Sequence, residues 1–358
     1  MALNATLTEL PELYTRFPRV SIIGVGDEGN DVVSRIFEEG GSGAQCVAVS
    51  TDDASLEHVF SHERVLIKES IAHESESRGD GNVPREQPIP ECVSALTPLL
   101  TGADVVFIIV GTADSEELAI AATTASMARR IGAVTVGMAV IPSDSQRIEG
   151  PIVPQALTRM RMNCHTLAIV DVERSVQLSG HPSQMSADST NQLVIDTVSS
   201  LSQALACPSS INIELSAFRE LMTHGGIAHV GIAHSTSALR VEEATIGALR
   251  GPLLYDNIAR CHGALINVRG DSNLTIDETE RAAQVIEERA GWNVPVVIGS
   301  SVDESRYEGC QVTILLTGCV YPYIPGGYRR LPLDMDEMEP DGEEEGPVSL
   351  ELDLDQLE

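Results

Sequence analysis

The sequence of 358 residues predicts an α/β protein: a doubly wound parallel sheet, a long central helix and a second, α+β domain. Three observations predict this fold. Short, almost wholly apolar runs alternate with helical patterns in the first half, as in parallel strands buried on both faces. A helical period then continues over residues 187–206. Beyond about residue 210 the pattern changes to strands grouped around one amphipathic helix.

The first half begins with Val20–Ile23, whose β-branched residues predict a buried strand. A glycine-containing turn and a helix from Asn30 to about Glu39 follow. The other elements predicted for this half are a strand at Cys46–Ser50, a polar loop at 69–90, a strand at Asp104–Val110, a helix at 114–131 and strands at Ala133–Ile141 and Leu167–Val170.

The central helix has apolar residues at helical spacing and ends near Pro208. Strands are then predicted at His229–Ala233 and Ala264–Arg269, a helix at 277–290, and strands at 294–299 and 311–317. The predicted divisions are an amino-terminal extension (1–18), a sheet domain (19–186), the central helix (187–206), a second domain (207–325) and an acidic, disordered tail (326–358).

The charge of the chain is extreme. Its formal net charge is −30, and its 23 basic residues include a single lysine, Lys68. Self-repulsion of this size destabilises a compact fold at low salt and is screened within about 3 Å at 1 M salt. The composition therefore predicts a halophilic protein from a salt-accumulating cell. Because a nucleic-acid interface needs clustered basic residues, nucleic acid is excluded as a partner.

Other features of the sequence predict a cytoplasmic protein without a direct membrane span. No apolar run approaches the roughly 18 residues that a span requires, and the first residues lack the basic and apolar segments of a signal peptide. Seven cysteines are scattered without a Cys-x-x-Cys pair, so we expect small buried residues and no metal site.

A glycine pattern, Gly24-x-Gly26-x-x-Gly29, lies between the first strand and the first helix, with Asn30 after it and Asp52 at the end of the next strand. This arrangement is typical of turns that direct a helix N-terminus at the phosphates of a dinucleotide or another nucleotide. The alternative is a tight turn that needs glycine only for its backbone shape. Asp27 and Glu28 lie in the turn itself and would repel a polyphosphate.

Four segments of the second half resemble the FtsZ family: Gly226–Gly231, Gly251–Asp256, Gly263–Glu278 and Gly299–Glu304. The resemblance covers residues 19–320 in the correct order. It implies a Rossmann-like, GTPase-type domain, a central helix, an activation domain and head-to-tail filaments. In such filaments an acidic loop of one subunit completes the GTPase site of the next.

The resemblance also indicates which functional residues are missing. The family's loop Gly-Gly-Gly-Thr-Gly-Thr-Gly falls on 113–119, directly after the strand that ends at Gly111. Glycines there let backbone N–H groups surround the phosphates. In this chain every residue of 113–119 has a side chain, and three of these side chains are carboxylates. Asp114 or Ser115 could form an ordinary helix N-cap with Glu117 nearby, and the alternative is a redesigned metal site. The residues at the degenerate loop positions are Ala113, Asp114, Ser115, Glu116 and Glu117.

Base recognition and hydrolysis are altered as well. The family's base-stacking aromatic corresponds to Ala187 and its guanine-binding acid to Asn191. The hydrolytic loop retains one acid, Glu214, while Ala217 replaces the second. Since a positioned acid or base contributes roughly 10²–10⁴-fold to a rate, we expect no hydrolysis by the family mechanism.

These features predict a GTPase-deficient, FtsZ-like division or cytoskeletal protein that assembles with itself or with an active FtsZ or tubulin-like paralogue. One alternative is a homologue that keeps GTP as a structural ligand or hydrolyses it slowly, and a weaker one is a Rossmann oxidoreductase. The resemblance implies action at the division site or at the envelope through partners. The tail resembles in position a peptide that recruits membrane tethers or regulators, with leucines among acids at Leu350, Leu352, Leu354 and Leu357. The alternative is an acidic tail that only keeps the protein in solution.

Overall fold

The computed structural model describes residues 17–40, 43–68, 90–112, 114–141, 152–171, 187–250, 261–290, 294–303 and 309–319. The chain divides into two compact units, Met1–Tyr328 and Arg329–Glu358, and every described residue belongs to the first. The predicted acidic tail, and all but the last residue of the predicted loop at 69–90, lie outside the described residues.

The described residues form ten strands and nine helices. The strands are β1 (Val20–Val25), β2 (Gln45–Ser50), β3 (Glu63–Leu66), β4 (Val105–Gly111), β5 (Val134–Ile141), β6 (Thr166–Asp171), β7 (Gly226–Ser235), β8 (Gly263–Gly270), β9 (Val296–Val302) and β10 (Cys310–Cys319). The helices are α1 (Gly26–Glu38), α2 (Asp53–Leu56), α3 (Pro90–Leu100), α4 (Ser115–Arg130), α5 (Ile152–Asn163), α6 (Ala187–Ala206), α7 (Leu215–Thr223), α8 (Arg240–Leu249) and α9 (Ile276–Ala290).

The strands form one sheet in the order β3-β2-β1-β4-β5-β6-β7-β10-β8-β9. The first six are parallel, and β1 lies between β2 and β4. Every residue of β4 and β5 is buried, because α1 and α6 cover one face of these strands and α3 and α4 cover the other. This burial explains their continuous apolar runs and confirms the predicted doubly wound parallel sheet.

The second half continues the same sheet with a different topology. β7 joins β6 through a short parallel pairing that begins at Thr166 and Gly226. β10 then pairs antiparallel with both β7 and β8, and β8 pairs parallel with β9. Helices α8 and α9 pack their apolar residues against β8 and β10. The second half therefore has the α+β character that the sequence predicts.

The predicted bounds of the first helix, β7 and β9 are wrong, and β9 runs over Val296–Val302 and not over 294–299. The first helix begins at Gly26, four residues before the predicted start, so Asp27 and Glu28 belong to its first turn. β7 runs over ten residues and not five, because β10 pairs with it along almost its whole length. Long pairing with a fully buried partner overrides the weak local propensity of the alanine, glycine and histidine residues at the strand's ends.

The central helix α6 is buried and bonded to the second half of the sheet. Val194, Val198 and Leu201 are at most 1% exposed in the core of the first half. On the other side, the buried amide of Asn267 in β8 donates to the backbone oxygen of Ser200 at 3.0 Å and to its hydroxyl at 2.7 Å. The same amide donates to the hydroxyl of Ser301 at 2.9 Å. Asn267 therefore fixes the register between α6 and β8.

No helix in the described parts of the chain is long and apolar enough to cross a membrane.

Replacing Asn267 with alanine should lower the free energy of unfolding by about 2–4 kcal/mol, because the change leaves buried serine groups without a donor. Denaturant unfolding at constant molar salt measures the loss. Asn273→Ala is a matched control, since Asn273 is exposed and should cost less than about 1 kcal/mol. Equal losses in the two variants would contradict the proposed role of the Asn267 amide.

Candidate functional site

The candidate site lies at the edge of the sheet where the parallel strands β1 and β4 end. Val25 pairs with Val110, so the first turn of α1 and the turn between β4 and α4 lie side by side. β1 is the strand at which the winding of the sheet reverses, since β2 lies on one side and β4 on the other. Crevices outside the carboxyl ends of strands at such a point are the usual ligand sites of open α/β sheets.

Two glycines of the predicted motif allow α1 to approach the sheet closely. A Cβ on Gly24 would overlap the backbone oxygen of Gly29. A Cβ on Gly29 would likewise overlap the backbone oxygen of Ile109 in β4. Because both obstacles are backbone atoms, no side-chain rearrangement would make room. The packing of α1 on the sheet is therefore sufficient to explain why these two positions are glycine.

The third glycine, Gly26, is covered by an acidic side chain. Its φ of +75° lies in the left-handed region, and a Cβ at this position would overlap the carboxylate of Glu117. The backbone N–H of Asp27 donates a hydrogen bond to the same carboxylate. Glu117, from the first turn of α4, therefore lies at the N-terminus of α1.

A second acidic side chain, Glu28 of α1, lies against the end of β4. The carboxylate of Glu28 lies against Gly111, the last residue of β4, where a Cβ would come within 2.6 Å of Oε2. Burial, together with the charges of Asp114, Glu28 and Asp27, raises the pKa of the Glu117 carboxyl to about 7. The hydrogen bond from the Asp27 N–H opposes this rise, because it stabilises the ionised form.

The N-terminus of α4 has the predicted cap. Asp114 is the N-cap residue, and its carboxylate accepts the backbone N–H of Glu116 at 2.6 Å. Ser115 is the first residue of the helix and is exposed. Acids in the first helical turn interact favourably with the helix dipole, so the sequence at this position is a good helix start. Ala113 lies outside the described residues.

Three other candidate residues make bonds within the fold. The buried side chain of Asn30 donates to the backbone oxygen of Val49 at 3.0 Å and accepts its N–H at 3.2 Å, which joins α1 to β2. Asp52 caps α2 through the N–H of Ala54 at 3.2 Å. The amide of Asn191 donates to Asp31 in α1 at 3.0 Å. Each bond gives the residue a structural role that needs no ligand.

The hydrolytic candidates lie in a different part of the molecule. Glu214 is the N-cap residue of α7 and is exposed, and Ala217 lies in the first turn of that helix. Further along α7, Arg219 donates to the backbone oxygen of Gly132, just before β5, at 2.9 Å. Thr166, at the start of β6, donates to the oxygen of Met222 at 2.7 Å. α7 therefore packs at the amino ends of the strands, whereas the acidic cluster lies at their carboxyl ends.

The acidic cluster, defined as Asp27, Glu28, Asp114 and Glu117, does not fit a polyphosphate. The position beside Gly26, where backbone N–H groups would contact a phosphate, is taken by the Glu117 carboxylate. The neighbouring acids would repel further negative charge. Among the described residues, no three histidine, cysteine or acidic side chains are placed to share a metal ion.

The acids on both turns are evident from the sequence, but the contacts between the two turns are not. The contacts of Glu117 with Gly26 and of Glu28 with Gly111 depend on the pairing of β1 with β4, which no local pattern specifies. The available signal was the presence of carboxylates on two turns that follow neighbouring strands. In a parallel sheet such turns meet at the same edge.

Comparison with known proteins supports the fold and the relationship. Residues 226–320 match the model of the FtsZ family, C-terminal domain. A cell division protein FtsZ of Haloferax mediterranei is 27% identical over 311 residues, which cover 86% of this chain and 82% of that protein.

Solved structures agree with these matches. An empty FtsZ dimer of M. jannaschii superimposes with a TM-score of 0.73 at 25% identity, covering 86% of this chain and 90% of that one. CetZ2 of Haloferax volcanii, in a GTPgS-bound protofilament, has the same fold, with a TM-score of 0.60 at 18% identity over 83% of this chain and 92% of that one. With its doubly wound first half, buried central helix and matching second half, the chain belongs to the FtsZ/tubulin superfamily.

Proposed function

We propose that this protein is a GTPase-deficient member of its superfamily that acts in the cytoplasm, in cell division or the cytoskeleton, by assembling with itself or with an active FtsZ or tubulin-like paralogue. The observation that carries the proposal is the carboxylate of Glu117 at the N-terminus of α1, where a phosphate would need backbone N–H groups. The missing second acid at Ala217 supports the same conclusion, because a single acid has no partner for orienting water.

Assembly remains feasible because the framework around the altered site is intact. The acidic cluster and α7 lie at opposite ends of the parallel strands. This is the arrangement that head-to-tail stacking of identical subunits needs, since such stacking joins two different faces of the molecule. The Haloferax CetZ2 structure is itself described as a protofilament, and the M. jannaschii FtsZ structure as a dimer.

A second candidate function retains GTP as a structural ligand. The turn at Gly24–Gly29 favours it, because it still brings a helix N-terminus to the usual phosphate position. The CetZ2 relative was solved with GTPgS bound. Against this alternative, Glu117 would have to leave its contact with the Asp27 N–H before a phosphate entered. A Rossmann oxidoreductase fits less well, because the second half matches the FtsZ C-terminal domain.

GTP turnover at molar salt should be at least about 10²-fold below that of an active FtsZ measured in parallel, because both the phosphate position and the acid pair are altered. Ala217→Asp should not restore turnover, since it repairs the acid pair and leaves Glu117 in place. Phosphate release assays on the wild type, this variant and the active FtsZ make the comparison. Turnover within about threefold of the active protein would refute the proposal.

Assembly should not depend on GTP. Electron microscopy and sedimentation at molar salt, with and without GTP, should show the same polymers for this protein alone or the same co-polymers with an active FtsZ from the same cell. Molar salt is needed because the net charge of −30 otherwise opposes association. Polymers that form only with GTP would contradict the proposal.

A chain lacking residues 346–358 should still assemble but lose tail-dependent partners, if the leucines at 350–357 bind them.

A further inference from the structure

The N-terminus of α1 has no side-chain cap from its own N-cap residue. The first N–H groups of a helix have no acceptor within it, and an N-cap side chain such as serine or aspartate commonly supplies one. The N-cap residue of α1 is Val25, whose side chain makes no capping bond. An acceptor for the first N–H groups of α1 must therefore come from water or from elsewhere in the chain.

Glu117 supplies that acceptor from a different helix. Its carboxylate accepts the Asp27 N–H and lies against Gly26, whose lack of a side chain leaves room for it. Since Glu117 belongs to the first turn of α4, the contact ties the N-termini of α1 and α4 together. The two helices follow the neighbouring strands β1 and β4, so the contact joins the two turns of the acidic cluster.

Among the residues that the structure describes, the charged groups that act on Glu117 are all acids. Asp27 and Glu28 face it from α1, and Asp114 faces it from the cap of α4. Ionised, Glu117 keeps the Asp27 hydrogen bond but is repelled by three neighbouring carboxylates and loses hydration through burial. Protonated, it still presents a carbonyl oxygen to the Asp27 N–H, without the repulsion.

We propose that Glu117 is a proton-controlled latch, which holds the N-termini of α1 and α4 together when protonated and loosens them when ionised. The latch would regulate the altered nucleotide site of the proposed function, and its relevance to assembly rests on that function. The contact itself can be tested without assembly or GTP.

The expected pH dependence follows from the raised pKa of Glu117. In the unfolded chain the carboxyl titrates near its ordinary value of 4.5, and in the folded protein its pKa is about 7. Between these values the folded state binds a proton that the unfolded state lacks, so stability falls as pH rises through this window. Above about pH 7 the Glu117 carboxyl is ionised in both states, and the full free-energy cost of holding its charge in the folded protein remains. Because burial is the largest cause, high salt reduces the effect only in part.

The test compares the wild type with Glu117→Gln, which keeps the carbonyl acceptor and cannot ionise. The unfolding equilibrium constant of the wild type should exceed that of the variant by about tenfold or more at pH 8.5, a value reduced for the partial exposure of the side chain. That ratio should fall at least about threefold on lowering the pH to 5. Glu280→Gln removes an equivalent charge at an exposed position of α9 and should show no such change in ratio.

Hydrogen exchange provides an independent readout. At one pH, Glu117→Ala should increase the exchange of peptides covering residues 24–30 by about tenfold, whereas Glu117→Gln should protect them at least as well as the wild type. A ratio of unfolding constants that is the same at both pH values, or unchanged exchange in Glu117→Ala, would refute the latch. Neither result would affect the proposed loss of GTP turnover, which is measured separately.

Discussion

The structure depends on the close approach of α1 to the two strands beneath it. The backbone of the helix contacts that of β1 through Gly24 and Gly29, and that of β4 through Gly29 and Ile109. No residue with a Cβ fits at these two glycines. This approach sets the position of the first turn of α1, and so decides which groups of the β4–α4 turn can reach it. The glycine motif is thereby explained without a phosphate.

In the proposed function, the glycine motif remains although the chemistry for which it is known has been lost. Two of its glycines serve packing, and the third, Gly26, makes room for a carboxylate from the same chain. In the proposed function, Glu117 takes the place of an external anion at the helix N-terminus, and the Asp27 N–H is satisfied internally. An internal acceptor makes the fold independent of a ligand whose binding energy would otherwise add to its stability.

The fold was largely predictable because its central strands are buried on both faces. β4 and β5 have apolar runs that only a parallel sheet covered by helices explains, and α6 was predicted at its observed bounds. The length of β7 was not predictable, since the glycine, alanine and histidine residues at its ends are weak strand formers that join the strand because β10 pairs with them. Also not predicted from the sequence were β3, α2, α3, α5, α7 and α8, of which β3 and α2 are too short to show a period.

For the candidate site, the sequence identified the residue types but not their contacts. The acids at 27, 28, 114 and 117 were evident on two turns, and the cap at Asp114 followed from helix chemistry. The bonds of Asn30 to Val49 were not predictable, because they depend on the distance between α1 and β2. The contact of Glu117 with the N-terminus of α1 depends in the same way on the register of β1 and β4.

The most direct measurement is the affinity of the purified protein for guanine nucleotide. The protein would be prepared at molar salt without added nucleotide, extracted with acid to identify any bound nucleotide, and titrated with GTP by calorimetry. The extract should contain no guanine nucleotide, and the titration should give a dissociation constant weaker than about 1 mM. Stoichiometric GTP or GDP in the extract, or micromolar binding, would contradict the replacement of the phosphate by Glu117.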